Sequence, residues 1–202
     1  LNVEFDGNGT ADTFSSRIKF KTIDPFIGNM PASQSSGLVY LNHDDLIAKI
    51  NLLGNKIKLD TIYDYLTNQV TLKSIIETQD LKELLGAISN HNVYDHLITG
   101  GVKANVNAKF NASTLDMSKI FIDIKQFNLK RGDVDLKIDP KRNSVLVEDG
   151  IVKKWDLNFL DGKEFFASKG YNETGKKTII CEQTFSIKSN ILELFSSVIE
   201  KS

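Results

Sequence analysis

Cysteine, tryptophan, arginine, histidine and proline are scarce: 202 residues contain one Cys, one Trp, three Arg, three His and three Pro. Each shortage closes a class of explanation. A single cysteine, Cys181, cannot form an internal disulfide framework and offers no thiolate pair to a metal. Three arginines beside 22 lysines leave little capacity for planar, bidentate recognition of phosphate or carboxylate. His43 stands alone, while His91 and His96 are five apart and so miss the i, i+4 spacing of a zinc-binding helix. The formal net charge of −1 gives no electrostatic reason to expect nucleic acid or an anionic membrane surface as a partner.

Signature motifs are missing as well. There is no G-x-S-x-G, no P-loop and no dinucleotide fingerprint. The stretch DGNGTAD spaces Asp6, Asn8, Thr10 and Asp12 like a calcium loop. However, Ala11 occupies the glycine position and Arg17 replaces the bidentate Glu, so it reads as a turn. RGD at 131–133 is explained by a hairpin turn, and the N-x-S/T triplets at 111 and 172 fit the pattern of a glycosylation acceptor. We expect no enzyme, no cofactor and no metal. No segment reaches the roughly 18 uninterrupted apolar residues of a membrane-spanning helix. No charged-then-apolar leader opens the chain either. It starts directly on LNVEF, which reads as the inside of a strand, so we expect a piece of a longer protein.

What the chain does contain is alternation. Hydrophobic residues make up 41% and charged residues 25%, a composition that folds. In VKANVNAKFN, Val102, Ala104, Val106, Ala108 and Phe110 share one face, and Lys103, Asn105, Asn107, Lys109 and Asn111 share the other. That is a strand with one dry and one wet side. The same period recurs at Val3/Phe5, Ile18/Phe20, Ile57/Leu59, Ile120/Ile122/Ile124, Val134/Leu136/Ile138, Trp155/Leu157/Phe159 and Ile179/Cys181 with Phe185/Ile187. Cys181 therefore reads as an inert buried thiol. Glycine turns at 6–9, 53–55, 99–101, 131–133, 148–150, 160–162 and 173–175 separate the runs, and no proline falls within a clear one. The pattern predicts a mainly all-β chain, an antiparallel meander.

Two stretches break the period. DLKELLGAI (80–88) and NILELFSSV (190–198) place apolar residues at i, i+3, i+4 and i+7 behind Asp80 and Asn190. Glu83 and Glu193 stand third after the cap, a capping-box pattern, so short helices are expected near 80–89 and 190–200. Upstream, GNKIKLDTIY from Gly54 and GKEFFASKGY from Gly162 repeat a glycine turn, a strand and a tyrosine at an offset of 108. We read residues 1–202 as one continuous segment of about two similar units, roughly 1–90 and 91–202.

Three stretches carry a family resemblance: LITGGVKANVNAKFN (97–111), IDIKQFNLKRGDVDLKI (122–138) and NSVLVEDGIVKKWDLNFLDGKEFFASKGY (143–171). With Asp149-Gly150-Ile151, Leu157, Phe159, Gly162, Gly170 and the Asp80-Leu81-x-x-Leu84 piece, the order resembles the TamB and AsmA-like proteins of Gram-negative envelopes. The resemblance runs most clearly from 37 to 196. It implies an elongated antiparallel sheet curled into a U-shaped trough with an apolar interior and a polar exterior. It also implies a parent anchored in the inner membrane and crossing the periplasm. Its role would be to conduct phospholipid toward the outer membrane and to serve outer-membrane biogenesis. Partners would be phospholipid acyl chains, neighbouring segments of the same chain and, through regions outside this segment, an outer-membrane barrel protein. The candidate groove lining is then Val102, Ala104, Val106, Phe110, Ile122, Ile124, Leu136, Ile138, Trp155, Leu157 and Phe159.

A second reading stays open beside it. The same alternating faces could meet each other in a closed β-sandwich or barrel, a ligand-free structural or interaction module of an envelope or surface protein. In that case Trp155 is an ordinary core aromatic and the helices cap the end of a core.

Overall fold

The structure is a computed structural model that describes residues 1–10, 13–27, 30–88, 98–114, 119–140, 143–161, 163–172 and 179–185. Its elements run β1 (Asn2–Asn8), β2 (Ser15–Lys21), β3 (Phe26–Ile27), β4 (Met30–Pro31), β5 (Ser36–Leu41), β6 (Asp45–Leu52), β7 (Ile57–Asp64) and β8 (Gln69–Thr78). After helix α1 (Leu81–Ile88) come β9 (Thr99–Asn111), β10 (Lys119–Arg131), β11 (Val134–Ile138), β12 (Ser144–Glu148), β13 (Ile151–Asp161), β14 (Lys163–Asn172) and β15 (Ile179–Phe185). Every ladder between these strands is antiparallel, as the alternation predicts.

Thirteen strands form one sheet in the order β1-β2-β5-β6-β7-β8-β9-β10-β11-β13-β14-β15, with β12 between β10 and β13. Strands β3 and β4 make a separate two-stranded ribbon that includes Pro31, a residue no central strand would accept. Apart from the β3-β4 ribbon between β2 and β5 and the in-line pair β11 and β12, strands adjacent in sequence pair with each other, so the sheet is a meander. β1 and β15 are its two edges.

β11 and β12 lie in line, like two pieces of one strand. Both lie between β10 and β13, one toward each end. Asn143 spans the break. It is only 3% exposed; its Nδ2 donates to the carbonyl of Asp139, and its Oδ1 accepts from the backbone N–H of Asn158 on β13 at 2.9 Å. Its own carbonyl accepts from Ile124 N on β10 at 2.8 Å. A single side chain thus replaces ladder bonds that the break removes.

Helix α1 forms where the i, i+3, i+4 pattern placed it, and Leu81 and Leu84 are buried beneath it. Asp80 Oδ1 accepts from Lys82 N at 3.0 Å, a normal cap. The other half of the capping box is absent. Glu83 does not turn back; it accepts hydrogen bonds from the backbone and hydroxyl of Ser33 and an ion pair from Lys56. Asp80 N instead donates to Thr78 Oγ1 at 3.0 Å. The reason is competition. A lysine ammonium and a loop N–H offer Glu83 stronger, charge-assisted partners than one cap N–H. The helix expected near 190–200 lies outside the described residues.

The close packing beside α1 explains the paired glycines that open β9. A Cβ on Gly101 would stand 2.5 Å from the Thr78 carbonyl oxygen, and Gly100, at φ +148°, would meet that of Asn128 at 2.1 Å. Only hydrogen fits.

Candidate functional site

In an antiparallel ladder, residues paired across strands point to the same side, so register converts sequence parity into a face. Starting at Val106, the row runs through Ser74, Leu59, Ile50, Gly37 and Phe20 to Val3 in one direction. In the other it runs through Ile122, Val145 and Trp155 to Gly170. The next row holds Phe5, Ile18, Val39, Ala48, Thr61, Leu72, Ala108, Ile120, Val147 and Val152. One face is therefore apolar across the sheet. The reverse face carries lysine, aspartate and asparagine in the same rows, for example Asn51, Lys58, Ile75, Asn105, Asp123, Ser144, Asp156 and Lys169.

The ladder brings all eleven predicted residues onto the apolar face. Val102, Ala104, Val106 and Phe110 lie there on β9, with Ile122 and Ile124 as cross-strand partners of Val106 and Ala104. Leu136 pairs with Leu129, and Ile138 with Phe159. Trp155 and Leu157 follow Phe159 by alternation along β13 and pair with Gly170 and Ser168. Two register shifts keep the face continuous. β10 inserts Lys125, after which Phe127 and Leu129 join the apolar side opposite Val102 and Gly100. β13 inserts Lys153, which carries Val152 to the same side as Trp155.

Local packing fixes the aromatic rings of this face. The Phe20 ring lies over Gly37, where a Cβ would stand 2.3 Å from Phe Cε1. Trp155 Nε1 donates to Ser168 Oγ at 2.8 Å, which satisfies the indole diagonally across the ladder from its partner Gly170. Phe127 and Phe159 meet edge to face at 6.1 Å. The small residues Ala48, Ser74, Ala104 and Ser168 are buried beneath taller neighbours, yet no described side chain falls below 2% exposure. Val106, Ile122, Trp155, Leu157 and Phe159 are all half-buried. A dry sandwich core would bury such residues completely.

Several contributors were not read from the sequence. β5 and β6, SGLVYL and DLIAKINL, place Val39, Ala48 and Ile50 on the apolar face, but Tyr40 and Ile47 sit opposite and erase the alternation. β8 hides the same way, because Ile75 on the polar face interrupts Val70, Leu72 and Ile76. The segments repeating at an offset of 108 fall on β7 and β14, but Tyr63 lies on the apolar face and Tyr171 on the polar one.

Among the described residues, no group of three or more His, Cys, Asp or Glu is placed to hold a metal ion, and no helix is long and apolar enough to cross a membrane. Comparison with family models, with curated proteins and with solved structures finds no match.

Proposed function

We propose that this chain is a segment of a lipid-conducting wall whose apolar face shields phospholipid acyl chains from water. One observation carries the reading: a mainly apolar face runs across a twelve-strand path, and many of its large side chains, Val106, Ile122, Trp155, Leu157 and Phe159 among them, stay half-buried. At a strand spacing of about 4.8 Å that face extends about 50 Å across the strands, longer than the ~30 Å hydrocarbon core of a bilayer. Shielding a lipid tail is worth ~0.8 kcal/mol per buried CH₂, and a face this long supplies that shielding continuously.

The composition of the face suits passage better than capture. From β7 to β9 its residues are Val, Ile, Leu, Ala, Phe and Tyr63 with a few hydroxyls and Gly100, and the charged Arg131 joins the face only at the end of β10. In this reading the sheet curls toward its apolar side as a trough. The chain works in the periplasm within a parent anchored in the inner membrane, passes phospholipid toward the outer membrane and supports outer-membrane biogenesis. The lining residues are Val102, Ala104, Val106, Phe110, Ile122, Ile124, Leu136, Ile138, Trp155, Leu157 and Phe159. Support comes from the apolar face and from the resemblance to TamB and AsmA-like proteins.

Native mass spectrometry of the purified chain tests it. We expect adducts with the masses of phospholipids, together with binding of an environment-sensitive dye by the cooperatively folded protein. Bare protein that also ignores the dye refutes the reading and leaves a ligand-free structural module.

A further inference from the structure

Acyl shielding uses one face of the sheet and leaves the other unexplained. On that polar face lie two adjoining depressions, of about 470 Å³ and about 340 Å³, which share Lys49 and Asn51 and together reach from β2 to β9. A twisted sheet is saddle-shaped, so a concave direction exists on each side. Six cations line the two depressions, Arg17, Lys19, Lys21, Lys49, Lys58 and Lys73, against one carboxylate, Asp60.

Register arranges these groups as a lattice. Lys49, Asp60 and Lys73 form one row, and Asn51, Lys58 and Ile75 form the next. Lys58 is thus the diagonal neighbour of both Lys49 and Lys73, at roughly 7–8 Å between backbones. Elsewhere on the same face Lys103, Lys119 and Lys137 each hold a carboxylate within 3.0 Å. Lys49, Lys58 and Lys73 have no ion pair among the described residues. Three ammonium groups around the single Asp60 carboxylate leave a net positive charge that attracts an anion.

The neighbouring groups narrow the kind of anion. Asp60 accepts hydrogen bonds only and would repel a bare phosphate, while Asn105 and Asn107 beside it both donate and accept. That mixture suits a ligand with hydroxyl groups as well as negative charge. A nucleic-acid strand would need rings for its bases to stack on, and the aromatic residue lining the depressions, Phe20, packs its ring over Gly37 on the apolar side. We propose that this face binds an acidic oligosaccharide, its acid groups on Lys49, Lys58 and Lys73 and its ring hydroxyls on Asp60 and the asparagine amides.

Backbone-amide NMR titration of the intact chain with tetragalacturonate tests the assignment. Shifts should cluster at residues 49–51, 58–60, 73–75 and 105–107, while neutral maltotetraose at the same concentration moves none of them. Lys58→Gln should weaken the interaction about threefold, and Lys130→Gln, on the same face beyond the depressions, should leave it unchanged. Four results overturn the proposal: no clustered shifts, equal shifts with inorganic phosphate, tighter binding of an octathymidylate strand, or equal losses in the two lysine variants.

Discussion

Glu83 joins three segments that are far apart in the sequence. Its carboxylate ties helix α1 to Ser33 in the loop before β5 and to Lys56 in the turn before β7, with Lys56 Nζ also 3.3 Å from Ser33 Oγ. Burial pushes its pKa up, but the hydrogen bonds from Lys56 and Ser33 outweigh that, so the group titrates below its ordinary value of 4.5. A depressed carboxyl contributes stability that is complete above 4.5 and disappears as pH falls through the lowered value. Glu83→Gln leaves Lys56, whose side chain is 25% exposed, without its counter-charge. We expect a loss of about 1–2 kcal/mol at pH 7. Urea denaturation should show that gap closing as the buffer is taken below pH 4.5, and a gap independent of pH would show that charge is not the cause. The sequence gives Glu83 away only as a potential cap, because a partner fifty residues upstream leaves no trace in local spacing.

At the scale of the element, the break between β11 and β12 is the point where the sheet depends on one residue. Asn143→Ala would remove the acceptor of the Asn158 N–H, within β13, and a donor to the Asp139 carbonyl, and we expect it to cost about 1–3 kcal/mol. Hydrogen exchange should then rise first at Asn158, whose amide loses its side-chain acceptor, and less at Ile124, whose bond runs to the retained backbone carbonyl of residue 143. Unchanged exchange at Asn158 would show that its amide does not depend on the Asn143 side chain. Strands were legible where the polar face is uniformly polar, as on β9 with its Lys103, Asn105, Asn107 and Lys109. They were obscured where Tyr40, Ile47 or Ile75 puts an apolar group on the wet side. The shared face of Ile124 and Phe127 was not legible, because their parity differs and only the inserted Lys125 reconciles them. The same limit applies to the repeat. Strand order can recur while side-chain parity inverts, as Tyr63 and Tyr171 show.

For the whole molecule, a conduit and a core make opposite demands on the same residues. A core stabilises by excluding water completely, so a charge placed in it unfolds the protein. A conduit stabilises its passenger and must remain open to it. Val106 separates the two cases, since it lies mid-strand on the apolar face between Ala104 and Ala108, opposite Ser74 and Ile122, and is only half-buried. In Val106→Asp the small neighbours leave room for the carboxylate to keep its water. A passing acyl chain would instead have to strip that water, at a cost of several kcal/mol. We expect Val106→Asp to keep a cooperative thermal transition while losing the co-purified lipid, and Asn107→Asp on the polar face to change neither. Thermal denaturation and native mass spectra of the two variants decide between the cases. Loss of the transition in Val106→Asp alone would mean that the apolar face is closed at this point and that the chain is not a conduit.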